Sequence, residues 1–329
     1  MSLIEAENLD KTFRIYSREE GIRGYFKSLF SREYEEVHAV EDLNLEIEEG
    51  EMVGYIGANG AGKSTTVKML TGILEPSSGR IEVDGRDPHR QRKKNAKNIG
   101  VVFGQKTQLW WDLPVRESFK LLKEIYEVND EDYEDRIDEF DEVLQLSDFW
   151  DQPVRKLSLG QKMRCELAAA FLHHPKIVYL DEPTIGLDVA VKERIRDFIK
   201  RMNQEKNITV MLTTHDIGDI EDLCDRIIVL DSGKKIYDGE LDTLVNRFTS
   251  RRMILDIRNG EDFSLDLEGI QEIERDDSHI EVVFDREKIS ASDLMREVLD
   301  NYEVLDFQLK EPDIEAVVKK IYNEGIDEE

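Results

Sequence analysis

The sequence predicts an α/β fold with a mainly parallel sheet, followed by a small α+β domain, and three observations carry this prediction. A glycine-rich octet lies between the β-rich apolar run Met52–Gly57 and a segment of helical character. Further along, short apolar runs alternate with helix-length segments, as strands buried on both faces of a parallel sheet do; these runs are Ile177–Leu180, Ile208–Leu212 and Ile227–Leu230. Beyond residue 248 this alternation ends. A chain of 329 residues can hold one large and one small domain, which we place at residues 1–248 and 249–329.

The large domain is predicted to open with two strands that flank an insert. Strand candidates cover residues 1–13 and Val37–Ile47, and residues 14–36 form the insert between them. Apolar residues recur in the insert at helical spacing among Arg and Lys; they are Ile22, Tyr25, Phe26, Leu29 and Phe30. Two interpretations stay open: a helix packed on its own domain, or a basic, aromatic helix near a membrane surface or its partner.

The middle of the chain predicts a helical subdomain within the α/β core. We expect a helix at Ser64–Thr71 and strands at Arg80–Val83 and Ile99–Phe103. Residues 115–149 carry apolar side chains three and four positions apart, which places a helical subdomain at about residues 107–160. The small domain alternates two helices, 289–300 and 312–323, with the strand candidates Met253–Ile257, Ile280–Phe284 and Tyr302–Leu309. We expect it either to regulate or extend a dimer or to serve as a packing extension.

Composition narrows the classes of function. The net charge is −28 and the pI is near 4.7, with acidic residues spread along the chain. Nonspecific binding to nucleic acid or to an anionic membrane needs concentrated Lys and Arg, so neither is expected; such a surface would suit a high-salt cytoplasm. No apolar run is long enough to span a membrane, and the amino end does not read as a secretory signal, so we expect a cytoplasmic protein. Cys165 and Cys224 lack metal-ligand spacing and are expected to be buried thiols.

The octet from Gly57 to Ser64 is a candidate phosphate-binding loop. Its glycines allow backbone N–H groups to turn inward, and the amino end of the following helix adds positive potential. Lys63 would pair with the β- and γ-phosphates of ATP, the Ser64 hydroxyl would bind Mg²⁺, and Thr65 would reach the α-phosphate. The nucleotide-binding residues predicted here are Gly57, Asn59, Gly60, Gly62, Lys63, Ser64 and Thr65.

A second acidic motif ends the apolar run Ile177–Leu180. Asp181 and Glu182 stand where a parallel sheet places its ligand-binding edge. We therefore interpret Asp181 as the Mg²⁺ partner, and Glu182 as the group that orients and polarises the attacking water.

With these motifs, residues 1 to about 248 resemble the nucleotide-binding subunit of an ATP-binding-cassette (ABC) transporter. Leu157-Ser158-Leu159-Gly160-Gln161 is similar to the family signature Leu-Ser-Gly-Gly-Gln. The resemblance implies an ABC-type P-loop NTPase domain, and it implies that Ser158, Gly160 and Gln161 act on the nucleotide of a second subunit. Leu159 departs from the family glycine; we expect the change to be harmless if close backbone approach needs glycine mainly at position 160.

The resemblance assigns four further positions. Gln105 matches the glutamine that senses the γ-phosphate and metal and couples the site to the helical subdomain. His215 matches the switch histidine that holds the γ-phosphate and water. Asp188 matches the aspartate of the loop that helps to close the dimer. Phe13 fits the aromatic residue that stacks on adenine just after the first strand, with Tyr16 as the alternative because of the neighbouring insert.

The resemblance also implies partners. Two chains, identical or paralogous, would share two MgATP sites and power integral membrane permease subunits encoded elsewhere, from the inner face of the cell membrane. Trp110 and Trp111 lie where family members receive a coupling helix, and adjacent tryptophans on a regular element cannot both face inward. The insert and tail domain resemble exporter subunits. The alternative is a soluble ABC ATPase outside transport.

Overall fold

The computed structural model describes residues 2–16, 34–104, 106–214, 216–247, 250–258, 263–276, 279–286 and 288–310. The chain divides into two compact units, Met1–Asp238 and Gly239–Glu329. Each unit contains its own cluster of buried apolar side chains. The division after Asp238 places the helix Leu241–Arg247 in the second unit, whereas the sequence pattern had grouped it with the first domain.

A six-stranded sheet forms the centre of the first unit, in the order β5-β6-β7-β3-β8-β9. The pairs β5–β6, β6–β7, β7–β3 and β3–β8 are parallel. This agrees with the prediction from the apolar runs, which are typical of strands buried on both faces of a parallel sheet. The strands are β3 (Met52–Gly57), β5 (Ile99–Phe103), β6 (Ile177–Asp181), β7 (Thr209–Thr213), β8 (Arg226–Asp231) and β9 (Lys234–Glu240).

A second, antiparallel sheet has the order β2-β1-β4, with β1 at Ser2–Tyr16, β2 at Tyr34–Glu48 and β4 at Ser78–Val83. Strands β1 and β2 continue into the segment that the sequence assigned to the insert, because Arg14 pairs with Glu36 and Tyr16 pairs with Tyr34. The predicted helical stripe from Ile22 to Phe30 lies outside the described residues.

Helices lie around the central sheet, and two of them fall within residues 107–160, where the sequence predicts a helical subdomain. The helices of the first unit are α1 (Lys63–Leu70), α2 (Arg92–Ala96), α3 (Val115–Tyr126), α4 (Asp130–Leu144), α5 (Leu159–Phe171), α6 (Val189–Lys206) and α7 (Ile217–Leu223). Aromatic packing joins the subdomain to the core: Phe198 of α6 makes edge-to-face contacts with Phe140 of α4 and Phe171 of α5, at centroid distances of 5.2 Å. No described helix is long and apolar enough to cross a membrane.

The second unit is a four-stranded antiparallel sheet with helices. It contains α8 (Leu241–Arg247), β10 (Ser250–Ile257), β11 (Ile270–Asp276), β12 (His279–Asp285), α9 (Ala291–Asn301) and β13 (Val304–Lys310), in the strand order β11-β12-β10-β13. The strand β11 is not predicted from the sequence, because this edge strand has no fully buried side chain. The predicted helix at 312–323 lies outside the described residues.

Candidate functional site

A cavity of about 500 Å³ opens at the edge of the central sheet that holds the carboxyl ends of β3, β5 and β6. Its walls combine the glycine-rich loop, the start of α1, the two carboxylates after β6 and apolar side chains. The lining residues are Ala39, Asn59, Gly60, Gly62, Lys63, Ser64, Thr65, Lys68, Ile73, Phe103, Gly104, Lys106, Asp181, Glu182 and Ile185. The structure therefore gathers most of the predicted nucleotide-binding residues with both predicted carboxylates.

The glycine-rich loop depends on backbone conformations that only glycine adopts easily. Gly60 has a φ of 89° and Gly62 a φ of 103°. A Cβ atom on Gly62 would stand 2.4 Å from the carbonyl oxygen of Ala39, so a side chain there would displace β2. These two glycines let the loop turn tightly into the amino end of α1, where backbone N–H groups are left without helical partners.

Lys63 begins α1 and turns its ammonium back into the loop. Its Nζ donates to the carbonyl oxygens of Gly57 and Ala58, at 2.5 and 3.2 Å. Burial lowers the pKa of Lys63, while the carboxylates of Glu182 and Asp181 oppose that shift. Phosphate oxygens in the cavity would be stronger partners for this ammonium than the two neutral carbonyls.

Asp181 accepts hydroxyl hydrogen bonds from two elements. Ser64 Oγ, on α1, lies 3.5 Å from Oδ2, and Thr213 Oγ1, at the end of β7, lies 2.5 Å from Oδ1. A carboxylate and a hydroxyl oxygen facing each other in a phosphate-binding cavity match the oxygen ligands that Mg²⁺ prefers. The residues present thus fit a Mg²⁺ held jointly by Ser64, Asp181 and a nucleotide.

Glu182 has a left-handed backbone with a φ of 56°, which costs roughly 1–2 kcal/mol in a residue that bears a side chain. Its backbone N–H donates to the carbonyl oxygen of Thr213, at 2.8 Å. Strained residues of this kind cluster at functional sites. The bend turns the chain at the end of β6 and leaves Glu182 in the cavity wall, beside Lys63 and Asp181.

A buried polar network supports the loop after this bend and the segment that follows β7. Asp219 of α7 is fully buried and accepts from the Thr184 hydroxyl, from the Thr214 hydroxyl at 3.4 Å and from Arg196 Nε at 2.7 Å. Thr184 follows Glu182 by two residues, and Thr214 is the first residue after β7. One carboxylate therefore fixes both segments to α6.

The signature residues lie outside the cavity of their own chain. Ser158 caps α5 in a capping box: its Oγ accepts from Gln161 N at 3.2 Å, and Gln161 Oε1 accepts from Ser158 N at 2.9 Å. Asp188 similarly caps α6 by accepting from Val191 N, at 3.0 Å. A Cβ atom on Gly160 would meet the Val191 side chain at 3.3 Å, so the signature and the Asp188 loop pack together.

Gln105 and His215 lie outside the described residues. Phe13 lies within β1, not after it as predicted, because β1 continues to Tyr16; its ring is partly exposed, with Lys11 Nζ 5.3 Å from its centre, and it is not among the cavity residues. Phe13 and Tyr16 both remain predictions for adenine stacking.

Sequence reasoning missed several cavity residues and the hydroxyl of Thr213. Phe103, Gly104 and Lys106 line the cavity, and in the sequence they are neighbours of the predicted sensor Gln105. Thr213 had a detectable signal, a hydroxyl at the end of a buried strand beside Asp181. Ala39 and Ile73 carry no motif and became visible only through the fold. The two cysteines are buried and free, as expected, and burial raises the pKa of both thiols.

Fold and site together define a P-loop nucleotide hydrolase. A family model described as ABC transporter matches residues 40–185. The chain is 36% identical over 208 residues to the ABC transporter ATP-binding protein NatA of Bacillus subtilis, a match that covers 63% of this chain and 84% of NatA. It is 39% identical over 209 residues to the methionine import ATP-binding protein MetN of Geobacillus kaustophilus, covering 62% of this chain and 61% of MetN.

Solved structures agree with these relatives. The dimeric ATP-binding cassette MJ0796, in a post-hydrolysis state bound to ADP and Pi, superposes with a TM-score of 0.60 at 29% identity, covering 72% of this chain and 98% of that one. The chain belongs to the family of ABC transporter ATP-binding proteins. It is accordingly an ATPase that converts ATP and water into ADP and phosphate.

Glu182→Gln should bind ATP and hydrolyse it at least about 100-fold more slowly, because the amide cannot polarise the attacking water. Nucleotide affinity and phosphate release on the purified protein measure the two effects. Glu193→Gln, an exposed glutamate on α6, is the matched control and should behave like the wild type. Turnover of Glu182→Gln within tenfold of the wild type would show that Glu182 does not have this role.

Asp219→Ala should destabilise the protein by about 3 kcal/mol, because Arg196 loses a buried carboxylate and two threonines lose their acceptor. For a unit of this size the melting temperature should fall by roughly 6–12 °C. Asp222→Ala removes a half-exposed partner of the same Arg196 and should cost less than about 1 kcal/mol. Equal melting temperatures for the two variants would show that the buried hydrogen bonds of Asp219 do not contribute more to stability than the exposed ion pair of Asp222.

Proposed function

We propose that this ATP-binding subunit is one of two chains that close over two MgATP and drive a separately encoded membrane permease. The main support is that the predicted site residues fall into two groups, one that lines the cavity and one that lies outside it. Lys63, Ser64, Asp181 and Glu182 share one cavity, whereas Ser158 and Gly160 do not line it. A second chain that brings its signature to this cavity would complete the site.

Within one chain, the roles follow from charge and position. Lys63 and the loop amides hold the β- and γ-phosphates, and Thr65 reaches the α-phosphate. Ser64 and Asp181 would hold Mg²⁺, with Gln105 as a further ligand, and the bound ion would supply positive charge that neutralises the phosphate oxygens. Glu182 orients water and accepts its proton, while His215 holds the γ-phosphate.

The partner chain supplies the remaining contacts. Ser158, the N-cap of the 13-residue helix α5, offers its hydroxyl to the γ-phosphate, and the amino end of the helix beside it adds positive potential where Gly160 approaches closely. Gln161 supports Ser158 through the capping box, and Asp188 closes the dimer. Phosphoryl transfer then goes directly to water, without a phosphoenzyme. The partner is a second copy or a paralogue.

The permease would dock near two exposed tryptophans. Trp110 is 38% and Trp111 54% exposed, which agrees with the expectation that the pair cannot both be buried. Exposed tryptophans mark protein interfaces because they bury much apolar area at little cost in entropy. Docking of a permease there would hold the subunit at the inner face of the membrane.

Trp111→Ala should weaken binding to the detergent-solubilised permease by about 30-fold, the change expected for a hot spot of about 2 kcal/mol. The permease is first identified by its co-purification with the wild-type chain, and its affinity is then measured with purified components. Phe307→Ala removes a similarly exposed ring from the second unit and serves as the control. Wild-type affinity of Trp111→Ala would exclude this docking surface.

We also propose that transport runs outward, on the basis of the insert at residues 14–36 and the added second unit. In inside-out vesicles carrying the subunit and its permease, ATP should make a component of a cell small-molecule extract accumulate inside. Vesicles carrying Glu182→Gln should show no accumulation. ATP-dependent release from preloaded vesicles would instead demonstrate import.

A further inference from the structure

A buried carboxylate on the signature helix binds the segment that follows Gln105. Glu166 of α5 is only 3% exposed. One carboxylate oxygen accepts from the Thr107 hydroxyl, and the other accepts from Gln108 N at 3.1 Å. Gln108 Nε2 donates in turn to the backbone carbonyl oxygen of Glu166, at 3.1 Å. Three hydrogen bonds thus join one residue of α5 to two consecutive residues of the segment.

Burial of this carboxylate is costly and needs a compensating gain. Burial raises the pKa of Glu166, whereas the Thr107 and Gln108 donors and the nearby Lys162 ammonium stabilise the charged form. Carboxylates are rarely buried in proteins unless they are paired or hydrogen-bonded. An apolar side chain would fill the same space without that cost, so packing alone does not account for a carboxylate at position 166.

The other end of the segment is fixed to the metal-binding strand. Gly104 N donates to the carbonyl oxygen of Asp181, at 2.9 Å. A Cβ atom on Gly104 would lie 2.9 Å from the same oxygen, so the approach requires glycine. The segment from Gly104 to Gln108 therefore runs from Asp181 to Glu166, and Gln105 belongs to it by sequence.

Helix α5 continues this connection to the signature. Glu166 lies eight residues after Ser158, the N-cap, which is about 12 Å along a helix. On its other side α5 is held by Arg164, whose Nη1 donates to the carbonyl oxygen of Leu144 at 2.8 Å. A hydrogen-bonded helix moves as a unit, so a force applied at Glu166 also reorients Ser158 and Gly160.

We propose that Glu166 is a positioning residue that ties the segment after Gln105 to the signature helix, so that nucleotide in a chain's own cavity orients the signature which that chain presents to its partner. This inference rests on the two-chain site of the proposed function. Loss of the tie should leave ATP binding by each chain intact, since the cavity residues do not change. It should impair dimer closure and turnover, which need the signature in place.

Two variants remove the tie in different ways. Glu166→Gln removes the negative charge and replaces one acceptor oxygen by an amide N–H, so one of the two hydrogen bonds to a charged acceptor is lost. Thr107→Val keeps the shape of Thr107 and removes the hydroxyl, whereas Thr107→Ser keeps the hydroxyl. Ser78→Ala, which removes a 2.7 Å hydroxyl bond to Asp10 in the antiparallel sheet, is the matched control.

Glu166→Gln and Thr107→Val should each lower kcat about tenfold, the effect of one hydrogen bond to a charged group, with ATP affinity within about twofold of the wild type. The double variant should lose no more than the stronger single variant, because both remove the same tie. Thr107→Ser and Ser78→Ala should retain the wild-type kcat. With Glu182→Gln added to slow hydrolysis, size-exclusion chromatography with ATP should show dimers for the otherwise wild-type chain and monomers for Glu166→Gln.

Three results would each overturn the proposal. The first is an additive loss of kcat in the double variant, and the second is a kcat of Thr107→Ser as low as that of Thr107→Val. The third is the normal formation of ATP-dependent dimers by Glu166→Gln. Parallel losses of melting temperature and ATP affinity would also overturn it, since they would show a structural role alone. A chain that carries only Glu182→Gln and stays monomeric with saturating ATP would overturn the two-chain site itself, and the tie with it.

Discussion

The parallel register of β6 with its two neighbours is the constraint on which the site depends. Asp181 pairs with Phe103 of β5 on one side and with Thr213 of β7 on the other. Because parallel strands end at the same edge of a sheet, the chain leaves all three strands at one level. The Gly104 N–H can then reach the carbonyl oxygen of Asp181, the Glu182 N–H can reach that of Thr213, and the Thr213 hydroxyl can reach the Asp181 carboxylate. A shift of one residue would break all three bonds and turn Asp181 to the other face.

The excess of acidic residues is also seen in the ion pairs between helices and strands of the first unit. Arg196 of α6 faces the carboxylates of Asp216, Asp219 and Asp222, and Arg201 faces those of Glu139, Glu142 and Glu205. Arg226 similarly joins Glu51 to Asp238. With far fewer basic than acidic residues, single guanidinium groups bind several carboxylates each, and Arg suits this because it presents five donors. Arg196 thereby holds α7 and the Thr184 loop on α6, while Arg201 holds α4 on the same helix.

Much of the site could be predicted from sequence because its chemistry lies in contiguous motifs. The loop from Gly57 to Ser64 and the pair Asp181-Glu182 each follow a buried strand, so their meeting at one edge follows from the parallel sheet alone. Other contacts could not be predicted, since they join residues distant in the chain through tertiary packing. Thr184 meets Asp219 and Thr107 meets Glu166 only because α7 and α5 lie against these loops. The strand β11 and the continuation of β1 to Tyr16 depend on backbone pairing, which hydrophobic periodicity does not report.

The departure at Leu159 can be interpreted from the packing of its neighbours. Leu159 opens α5 with half its surface exposed, and its side chain lies beside Gly186, where a Cβ atom would be 3.3 Å from Leu159 Cδ2. Position 159 thus accepts a side chain because Gly186 opposite has none, whereas position 160 faces Val191 and has no such room. Packing within the chain therefore favours glycine at 160, and the size added at 159 is offset by the absence of a side chain at Gly186. Leu159 packs onto the loop that contains Gly186 and Asp188. The signature and this loop therefore form one continuous surface, and both would contact the partner chain when the dimer closes.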